Sequence, residues 1–261
     1  MNKKRRIMLV VAYEGTAYHG WQAQKSGADT IEGRLNQALR ELTGEDIAVM
    51  GASRTDAGVH ALCNLAVFDT QSRIPADRFC VALNQRLPDD IVVQSSREVD
   101  PEFHPRHTHG KKTYEYTILN RRIPLPQYRN TACFCYYPLD VEAMQKACAP
   151  FLGEHDFAGF CSAGAQVKST VRTIYALEVT QEWLPDPTEP ASSRGSLIRI
   201  RVTGDGFLYN MVRIIAGTLL EVGRGRIRPE QMEQIVDSRD RSQAGPTAVP
   251  QGLRLEKIEI V

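Results

Sequence analysis

Short apolar runs and helical spacings alternate along the first hundred residues of the chain. Strands are predicted where β-branched and other apolar residues form such runs, at Arg5–Ala12, Asp46–Met50, Ala61–Phe68 and Ile91–Val99. Between the first two runs, apolar residues recur at the spacing of one buried helix face, at Ile31, Leu35, Leu39 and Leu42. Thr30 is the predicted N-cap of this helix and Gly44 its predicted end. A second helix is predicted over Ala76–Leu87, between two prolines.

The second half of the chain repeats this order of elements. Strands are predicted at Thr113–Leu119, Val171–Thr180, Leu197–Val202 and Leu253–Val261. One helix is predicted from its cap Asp140 to Pro150, and another from about Leu208 to Val222. Two segments depart from a strict duplicate. They are a proline-rich surface loop, Leu184–Pro190, and an inserted helix that begins near Pro229, where proline occupies the favoured first position.

Each half therefore has the order β-α-β-β-α-β, which is typical of the ferredoxin-like split unit. The predicted fold class is α+β, with two ferredoxin-like pseudo-repeats joined into one extended antiparallel sheet that has helices on one face. The predicted domains are residues 1–105, which carry the loop around Asp56, and residues 106–261. A cleft between the halves is the predicted binding site.

Composition describes an ordinary soluble globular protein, with 42% hydrophobic and 24% charged residues among 261. No apolar run approaches membrane-spanning length, and no cleavage site follows the basic N-terminus, so a signal peptide is not predicted. The six cysteines lack paired C-x-x-C spacing. Cys133 and Cys135 are interpreted as neighbours on one face of a strand. We therefore expect reduced thiols in a cytoplasmic protein, with neither a metal site nor disulfides.

Basic residues cluster although the net charge is only +1. One group contains His104, Arg106, His107, His109, Lys111, Lys112, Arg121, Arg122 and Arg129. The other contains Arg199, Arg201, Arg213, Arg224, Arg226 and Arg228, with Asp205 and Glu221 as the acidic residues near them in sequence. Each group by itself is typical of a solvated face. Two groups together favour a surface that binds a polyanion, because a local patch attracts phosphates whatever the net charge.

The stretch Arg54–Ala61, with sequence RTDAGVHA, places an arginine two residues before an aspartate in a predicted loop. A guanidinium beside Asp56 favours the ionised carboxylate, which a nucleophile needs. The same letters also describe a simple turn, in which the aspartate bonds its own backbone and Gly58 takes a positive φ. This stretch alone does not decide between the two.

Further segments change that balance, because they form an ordered set with the Asp56 stretch. They are Tyr13–Gln22, Lys112–Tyr116, Gly206–Arg213, Gly217–Gly225, Ala244–Ala248 and Gly252–Leu253. Together they resemble, in the same order, the motifs of the tRNA pseudouridine synthase A (TruA) family, and the resemblance spans nearly the whole chain. Two residues depart from it: Ser53 stands where many members have glycine, and Val249 where proline is frequent.

The resemblance implies an isomerase that converts uridine to pseudouridine at positions 38, 39 and 40 of the tRNA anticodon stem-loop. It implies no cofactor, which agrees with the lack of Walker, dinucleotide and metal motifs. It further implies a homodimer in which one tRNA touches both subunits. The two basic groups then serve as contacts to the anticodon arm, mostly through phosphate, which position the RNA without reading its bases.

By position in these motifs, the resemblance makes Asp56 the nucleophile and Arg213 its cationic partner. Asp56 either attacks the anomeric carbon of ribose or deprotonates a neighbouring carbon to give a glycal, and the residues do not choose between these routes. Tyr114 is implied as the platform on which the displaced base stacks, with a second role as acceptor of the C5 proton. Arg54 fills the space vacated by the flipped nucleotide or binds its phosphate. The alternative, purely structural roles are a solvated helix residue for Arg213 and a packed strand tyrosine for Tyr114.

Two other functions compete with this one. The first is a non-catalytic RNA-binding protein, because ferredoxin-like sheets commonly bind RNA without chemistry. It gives no reason for a carboxylate at Asp56, which would repel phosphate. The second is a glycoside hydrolase, which usually needs a second carboxylate near the first, and none of the matching segments supplies one. His60 is interpreted as a packing residue and not as a general base.

Overall fold

The structure, a computed structural model, describes residues 4–106, 110–164, 167–184 and 195–260. His107, His109 and the predicted loop beyond Leu184 lie outside these ranges. By contacts between residues the chain divides into two compact units, Met1–Gly110 with Leu255–Val261 and Lys111–Arg254. The predicted domain boundary after residue 105 stays a prediction.

The helices and strands follow the predicted order closely. The α-helices of the described residues are α1 (Ile31–Thr43), α2 (Phe79–Asn84), α3 (Val141–Lys146), α4 (Met211–Gly223) and α5 (Met232–Ser238). Their strands are β1 (Arg5–Tyr13), β2 (Met50–Gly51), β3 (His60–Thr70), β4 (Ile91–Val99), β5 (Gly110–Asn120), β6 (Cys133–Cys135), β7 (Gly153–Asp156), β8 (Val171–Trp183), β9 (Ser196–Gly204) and β10 (Leu253–Ile260).

In the first unit the strands lie in the order β4, β1, β3 and β10, and the short β2 pairs with β3. β1 is antiparallel to both neighbours, with Leu9 opposite Ala66 on β3 and Ser96 on β4. The predicted caps of α1 are confirmed, since the Thr30 hydroxyl accepts a hydrogen bond from the Gly33 N–H and Gly44 has φ +73°. This order of strands and helices confirms the predicted β-α-β-β-α-β plan of the first half.

Two predictions for this unit are wrong in extent. The predicted strand Asp46–Met50 is reduced to β2, because the Val49 N–H donates to the Asn36 side chain at 2.8 Å and not to a neighbouring strand. Ile47 and Val49 are nevertheless buried. The alternation of apolar residues there reflects burial of the side chains and not pairing with a neighbouring strand. The predicted helix Ala76–Leu87 is a 3-10 turn followed by α2, which ends at Asn84.

In the second unit the strands lie in the order β5, β9, β8 and β7, all antiparallel, while β6 runs parallel to the end of β5. The cap of α3 is confirmed, since the Asp140 carboxylate accepts from the Ala143 N–H. β7 was not predicted. The inserted helix near Pro229 is confirmed as a 3-10 turn, Pro229–Gln231, that continues into α5.

The predicted α+β class with mostly antiparallel pairing is confirmed within each unit, with β5 and β6 as the parallel exception. The six cysteines are free thiols. Among the described residues, no helix has the length and apolar character needed to cross a membrane.

Candidate active site

Asp56 lies half-buried in the loop of residues 52–59, which connects β2 to β3, and Arg54 is exposed in the same loop. The Asp56 carbonyl accepts a hydrogen bond from the Val59 N–H at 3.1 Å, and Gly58 has φ +77°. The predicted turn is therefore present. The turn also leaves the Asp56 side chain partly accessible, so the structural and the functional interpretations of this stretch are compatible.

Buried side chains hold the residues before Asp56 in place. The Asn64 side chain, on β3, accepts from the Ser53 N–H at 3.2 Å and donates to the Ser53 carbonyl at 2.9 Å. The Tyr13 hydroxyl lies 2.7 Å from the Thr55 hydroxyl and also accepts from Asn64 at 3.2 Å. All four residues are buried. A buried hydrogen-bond network of this kind fixes the backbone path that leads into Asp56.

The segment of residues 13–22 packs its backbone directly against this loop. The Trp21 N–H donates to the Thr55 carbonyl at 3.0 Å. Gly20 has φ +90°, and a Cβ there would lie 2.7 Å from the Thr55 carbonyl oxygen and 3.2 Å from the Asp56 carbonyl carbon. Gly58 donates back to the Tyr18 carbonyl at 3.3 Å. Glycine at position 20 is therefore required by both its conformation and the closeness of the two backbones.

His60 has a structural role in this unit. It is buried, and its Nδ1 accepts a hydrogen bond from the Gly15 N–H at 3.0 Å. A ring nitrogen that accepts this bond carries no proton. The bond therefore orients the Nδ1 edge of the imidazole toward the backbone of residue 15. This arrangement agrees with the predicted packing role and leaves Nδ1 engaged.

Tyr18 and Asp90 form a second support that sequence reasoning missed. The Tyr18 hydroxyl donates to the Asp90 carboxylate at 2.5 Å, and the Asp90 carbonyl accepts from the Glu14 N–H at 2.9 Å. Burial and then the hydrogen bond to Asp90 raise the pKa of Tyr18 well above its ordinary value. The phenol therefore stays protonated, and it ties the segment before Gly20 to the start of β4.

In the second unit, Tyr114 lies on β5 with 8% of its surface exposed. Its ring meets Phe207 edge-on with centroids 5.3 Å apart. Tyr116 shares its face, as predicted, and donates its hydroxyl to the Val249 carbonyl at 2.9 Å. Burial raises the pKa of Tyr116. Both tyrosines are therefore buried, Tyr116 completely and Tyr114 almost so.

Arg213 lies in the first turn of α4, and its guanidinium is held from two sides. Nε donates to the Ala248 carbonyl at 2.7 Å, and Nη1 donates to the Asn210 side-chain oxygen at 2.6 Å. Asn210 has φ +60°, a left-handed conformation that asparagine tolerates better than most residues. This is why α4 begins at Met211 and not at the predicted Leu208. Arg213 is half-buried, so it is not the freely solvated helix residue that the purely structural alternative predicted.

The loop of residues 244–249 supports Arg213 because it packs tightly on α4. A Cβ at Gly217 would lie 1.7 Å from the Pro246 carbonyl oxygen, so only glycine permits this approach. The Gly245 N–H donates to the Thr218 hydroxyl at 2.9 Å. Two consecutive carbonyls of this loop, at Ala248 and Val249, then accept hydrogen bonds from Arg213 and Tyr116.

Part of the second basic group is neutralised by acidic residues. Arg199 lies 2.6 Å from Glu182 and 3.7 Å from Glu115. Arg224 and Arg226 both pair with Glu221. These three arginines are therefore better interpreted as part of an ordinary surface of ion pairs. They contribute less to a polyanion-binding patch than their clustering in the sequence indicates.

The predicted residues thus occupy supported positions in both units. Asp56 and Arg54 share one loop of the first unit, while Tyr114 and Arg213 belong to the second. Sequence reasoning missed the residues that hold them, which are Tyr13, Tyr18, Asn64, Asp90 and Asn210. Gly20 and Asn210 lie inside matching motifs and were the available signal, whereas nothing in the local sequence marks Asn64 or Asp90.

Comparison with known proteins identifies the family. The family model described as tRNA pseudouridine synthase matches residues 9–107 and 147–259. The chain belongs to the tRNA pseudouridine synthase family. Three relatives named tRNA pseudouridine synthase A come from Ruminiclostridium cellulolyticum, Acetivibrio thermocellus and Thermoanaerobacter sp., with 47%, 46% and 45% identity over 254 residues. The Acetivibrio and Thermoanaerobacter alignments each cover 97% of this chain and 99% of the relative.

Membership of the tRNA pseudouridine synthase family confirms the predicted isomerase acting on tRNA. Among solved structures, a chain of a Cbf5-Nop10-Gar1 complex aligns with 95% of this chain and 57% of its own at a TM-score of 0.32 and 12% identity.

The two departures from the family pattern lie at residues whose backbone groups make the contacts described above. Val249 is exposed through its side chain and contributes its backbone carbonyl to Tyr116. Ser53 contributes its backbone to Asn64, and its buried hydroxyl has no hydrogen-bond partner within the described ranges. Glycine at position 53 or proline at position 249 keeps these carbonyls, so both positions tolerate the exchange.

Proposed function

We propose that this enzyme isomerises uridines 38, 39 and 40 in the anticodon stem-loop of tRNA, with Asp56 as the nucleophile and without a cofactor. The observation that carries the proposal is the anchored loop of residues 52–59. Three buried side chains and the backbone of residues 18–21 hold this loop, yet the Asp56 side chain remains partly accessible. A rigid support for one accessible carboxylate suits a nucleophile, which must be held in a productive geometry.

In the proposed reaction the C–N glycosidic bond breaks, the uracil turns, and a C–C bond forms to the same ribose carbon. The Asp56 carboxylate either attacks the anomeric carbon, with the uracil as leaving group, or removes a proton from the neighbouring carbon to give a glycal. Both routes need the ionised carboxylate. Arg213 is the proposed cationic partner that favours this form, since an opposite charge lowers the pKa of a carboxyl group.

Tyr114 is the proposed platform for the detached uracil. Its fixed contact with Phe207 supports that role, because stacking on a ring held in place loses little conformational entropy. Stacking of a base on an aromatic side chain is worth about 1–3 kcal/mol. Acceptance of the C5 proton by the Tyr114 hydroxyl is the weaker part of the proposal, because a tyrosine with an ordinary pKa of about 10 is a poor base near neutral pH.

The proposed partner is the anticodon arm of tRNA, bound by a homodimer in the cytoplasm. The family resemblance supports the dimer and the arm, and the free thiols are compatible with a reducing compartment. The basic groups contribute contacts to the phosphates of the arm.

One assay tests the nucleophile. Unmodified tRNA is incubated with the wild-type enzyme and with Asp56→Asn, and pseudouridine is then mapped along the anticodon arm. We expect modification at positions 38–40 by the wild type and none by the variant, with tRNA binding largely retained. Undiminished product from Asp56→Asn would exclude Asp56 as nucleophile. Binding of tRNA by the wild type without any product would favour the non-catalytic alternative.

A second variant tests the cationic partner. Arg213→Met keeps much of the side-chain volume and removes the charge, so we expect turnover to fall far more than tRNA affinity. An equal loss of affinity and of kcat/KM would instead assign Arg213 to a phosphate contact. Arg213→Lys separates charge from geometry, because lysine keeps the charge and cannot reproduce the two directed bonds to Ala248 and Asn210.

A further inference from the structure

Arg106 is attached to the Asp56 loop although it lies fifty residues away in the chain. Its Nε donates to the Gly51 carbonyl at 2.8 Å. Gly51 is the last residue of β2, and the loop that carries Arg54 and Asp56 begins immediately after it. This bond uses Nε, and the two terminal nitrogens of Arg106 make no hydrogen bond within the described residues.

Arg54 and Arg106 are both exposed and both lack an acidic partner. In the part of the chain that the structure describes, neither makes an ion pair. Other arginines of the same unit are paired, as Arg6 is with Asp69 and Arg34 with Asp29. What distinguishes these two side chains from other exposed arginines of the unit is their position: Arg54 lies in the loop that carries Asp56, and Arg106 is bonded to the residue before that loop.

The two guanidinium groups are close enough to affect each other. The pKa of Arg106 is lowered, first by partial burial and then by the positive charge of Arg54, while Glu32 opposes this effect. The Glu32 carboxylate is already engaged, since it accepts a hydrogen bond from the Ala23 N–H at 2.6 Å. Two neighbouring positive charges repel each other, and an anion that binds between them relieves this repulsion.

We propose that Arg54 and Arg106 together bind one phosphodiester group of the tRNA beside the target uridine. This inference rests on the proposed function, because the tRNA supplies the phosphate. A guanidinium binds phosphate oxygens through parallel N–H groups, and two guanidinium groups can hold one phosphate from two sides. Arg54 is two residues before Asp56, so the bound phosphate belongs to the extruded nucleotide or to its neighbour in the chain.

The site also resolves an electrostatic difficulty of the reaction. A carboxylate nucleophile repels the RNA backbone, and the repulsion is strongest for the phosphate nearest to the reacting sugar. Two positive charges beside Asp56 offset this repulsion at that position. The inference assigns Arg54 to phosphate binding and not to the space vacated by the flipped base.

The test measures the tRNA dissociation constant as a function of salt concentration for Arg54→Gln, Arg106→Gln and the double variant. Arg97→Gln is the matched control, because Arg97 is exposed on β4 of the same unit and makes no hydrogen bond or ion pair within the described ranges. We expect each single variant to weaken binding about tenfold, as loss of a charged hydrogen bond does. The control should bind as the wild type does.

The salt dependence decides whether one phosphate is shared. A phosphate that keeps one arginine still releases its counterion, so each single variant should change the slope of log Kd against log salt only slightly. The double variant should lower the slope by about 0.7–0.9, the value for one phosphate. Twice that decrease would mean two separate phosphates and would overturn the shared site, as would an Arg106→Gln variant that behaves like Arg97→Gln.

Two further measurements distinguish a failure of the phosphate site from a failure of the proposed function. Arg106→Lys keeps the charge and loses the directed bond to Gly51, so we expect a dissociation constant between those of the wild type and Arg106→Gln. Thermal unfolding shows whether each variant is folded. Absence of pseudouridine with the wild type would refute the proposed function. Normal wild-type activity with unaltered tRNA binding by the arginine variants would refute the phosphate site alone.

Discussion

The side chain of Asn64 binds both backbone groups of Ser53, accepting from its N–H at 3.2 Å and donating to its carbonyl at 2.9 Å. Paired residues of neighbouring strands are usually joined by two backbone bonds of this kind. Here one amide side chain replaces a strand, and the chain is free to leave the ladder and form the loop that presents Asp56. The fully buried Asn64 thus joins the sheet to the site.

Asn64→Asp tests this connection. The aspartate places an oxygen opposite the Ser53 carbonyl, where the asparagine donates a hydrogen bond. We expect the free energy of unfolding to fall by about 1–3 kcal/mol, because a buried acceptor loses its donor. Turnover should fall as well, since the path into Asp56 is no longer held. Chemical unfolding and the pseudouridine assay measure the two effects.

Asn84 provides the control for this variant. Asn84 is the last residue of α2 and is exposed, and it binds the N–H and carbonyl of Val93 on β4 in the same way, at 2.8 and 3.0 Å. Asn84→Asp should lower stability less and leave turnover per folded molecule unchanged. Equal loss of turnover in both variants would show that the effect of Asn64 is a general loss of stability.

Gly20→Ala should displace the Asp56 loop. The added methyl group would lie 2.7 Å from the Thr55 carbonyl oxygen and would also require alanine at φ +90°. We expect the free energy of unfolding to fall by at least about 1–2 kcal/mol and turnover to fall strongly. Gly27→Ala is the control, because Gly27 has φ +76° and no heavy atom within 4 Å of the added Cβ. If both variants retain wild-type turnover, close packing of residue 20 does not position Asp56.

Asn210 is predicted to position Arg213. Asn210→Gly permits the left-handed backbone but removes the oxygen that accepts from the Arg213 guanidinium. We expect kcat to fall with little change in KM or stability, whereas Asn210→Ala should also lose about 1–2 kcal/mol through backbone strain. Arg239, the other described non-glycine residue with positive φ, gives the control, since Arg239→Gly should leave kcat unchanged. A normal kcat for Asn210→Gly would refute the positioning role.

Tyr114→Phe separates the ring from the hydroxyl. The phenylalanine keeps the edge-on contact with Phe207, so a stacking platform should retain most of its turnover. Tyr114→Leu should lose about 1–3 kcal/mol of interaction with the base, measured as a fall in kcat/KM. A phenylalanine variant as inactive as the leucine variant would instead assign the chemistry to the hydroxyl.

Acid should weaken the first unit through Asp69. Its carboxylate lies opposite Arg6 across β1 and β3 and accepts from Nε at 2.7 Å and Nη2 at 2.9 Å. These hydrogen bonds lower the pKa of Asp69 below its ordinary value near 4. A carboxyl group with a lowered pKa in the folded state stabilises it fully above about pH 4, and this contribution is lost as the pH falls through the folded pKa.

Unfolding by urea between pH 3 and 7 tests this expectation. Asp69→Asn should be less stable than the wild type at pH 7, and the two proteins should converge as the pH decreases. Asp46→Asn is the control, because the Asp46 side chain is 88% exposed and its pair with Arg40 contributes little. A constant difference between wild type and Asp69→Asn across this range would contradict the linkage.

The order of elements, the caps Thr30, Gly44 and Asp140 and the presence of the Asp56 turn were all predictable, because each depends on residues a few positions apart. The strand predicted at Asp46–Met50 failed for the opposite reason. Burial of alternate residues is a local pattern, whereas strand pairing depends on which partner the rest of the chain brings alongside. β7 and the early end of α2 were missed for the same reason, since they too depend on tertiary contacts.

The sequence by itself therefore determined the family and the fold class and predicted the reactive residues, since motifs and periodicities are properties of neighbouring positions. Only the tertiary structure decided what holds those residues. Asn64 binds Ser53, Tyr13 meets Thr55, Asp90 receives the Tyr18 hydroxyl and Arg106 reaches Gly51, and each pair is separated by at least eleven positions in the chain. Contacts of that kind exist only once the sheet and helices have packed, so no local pattern announces them.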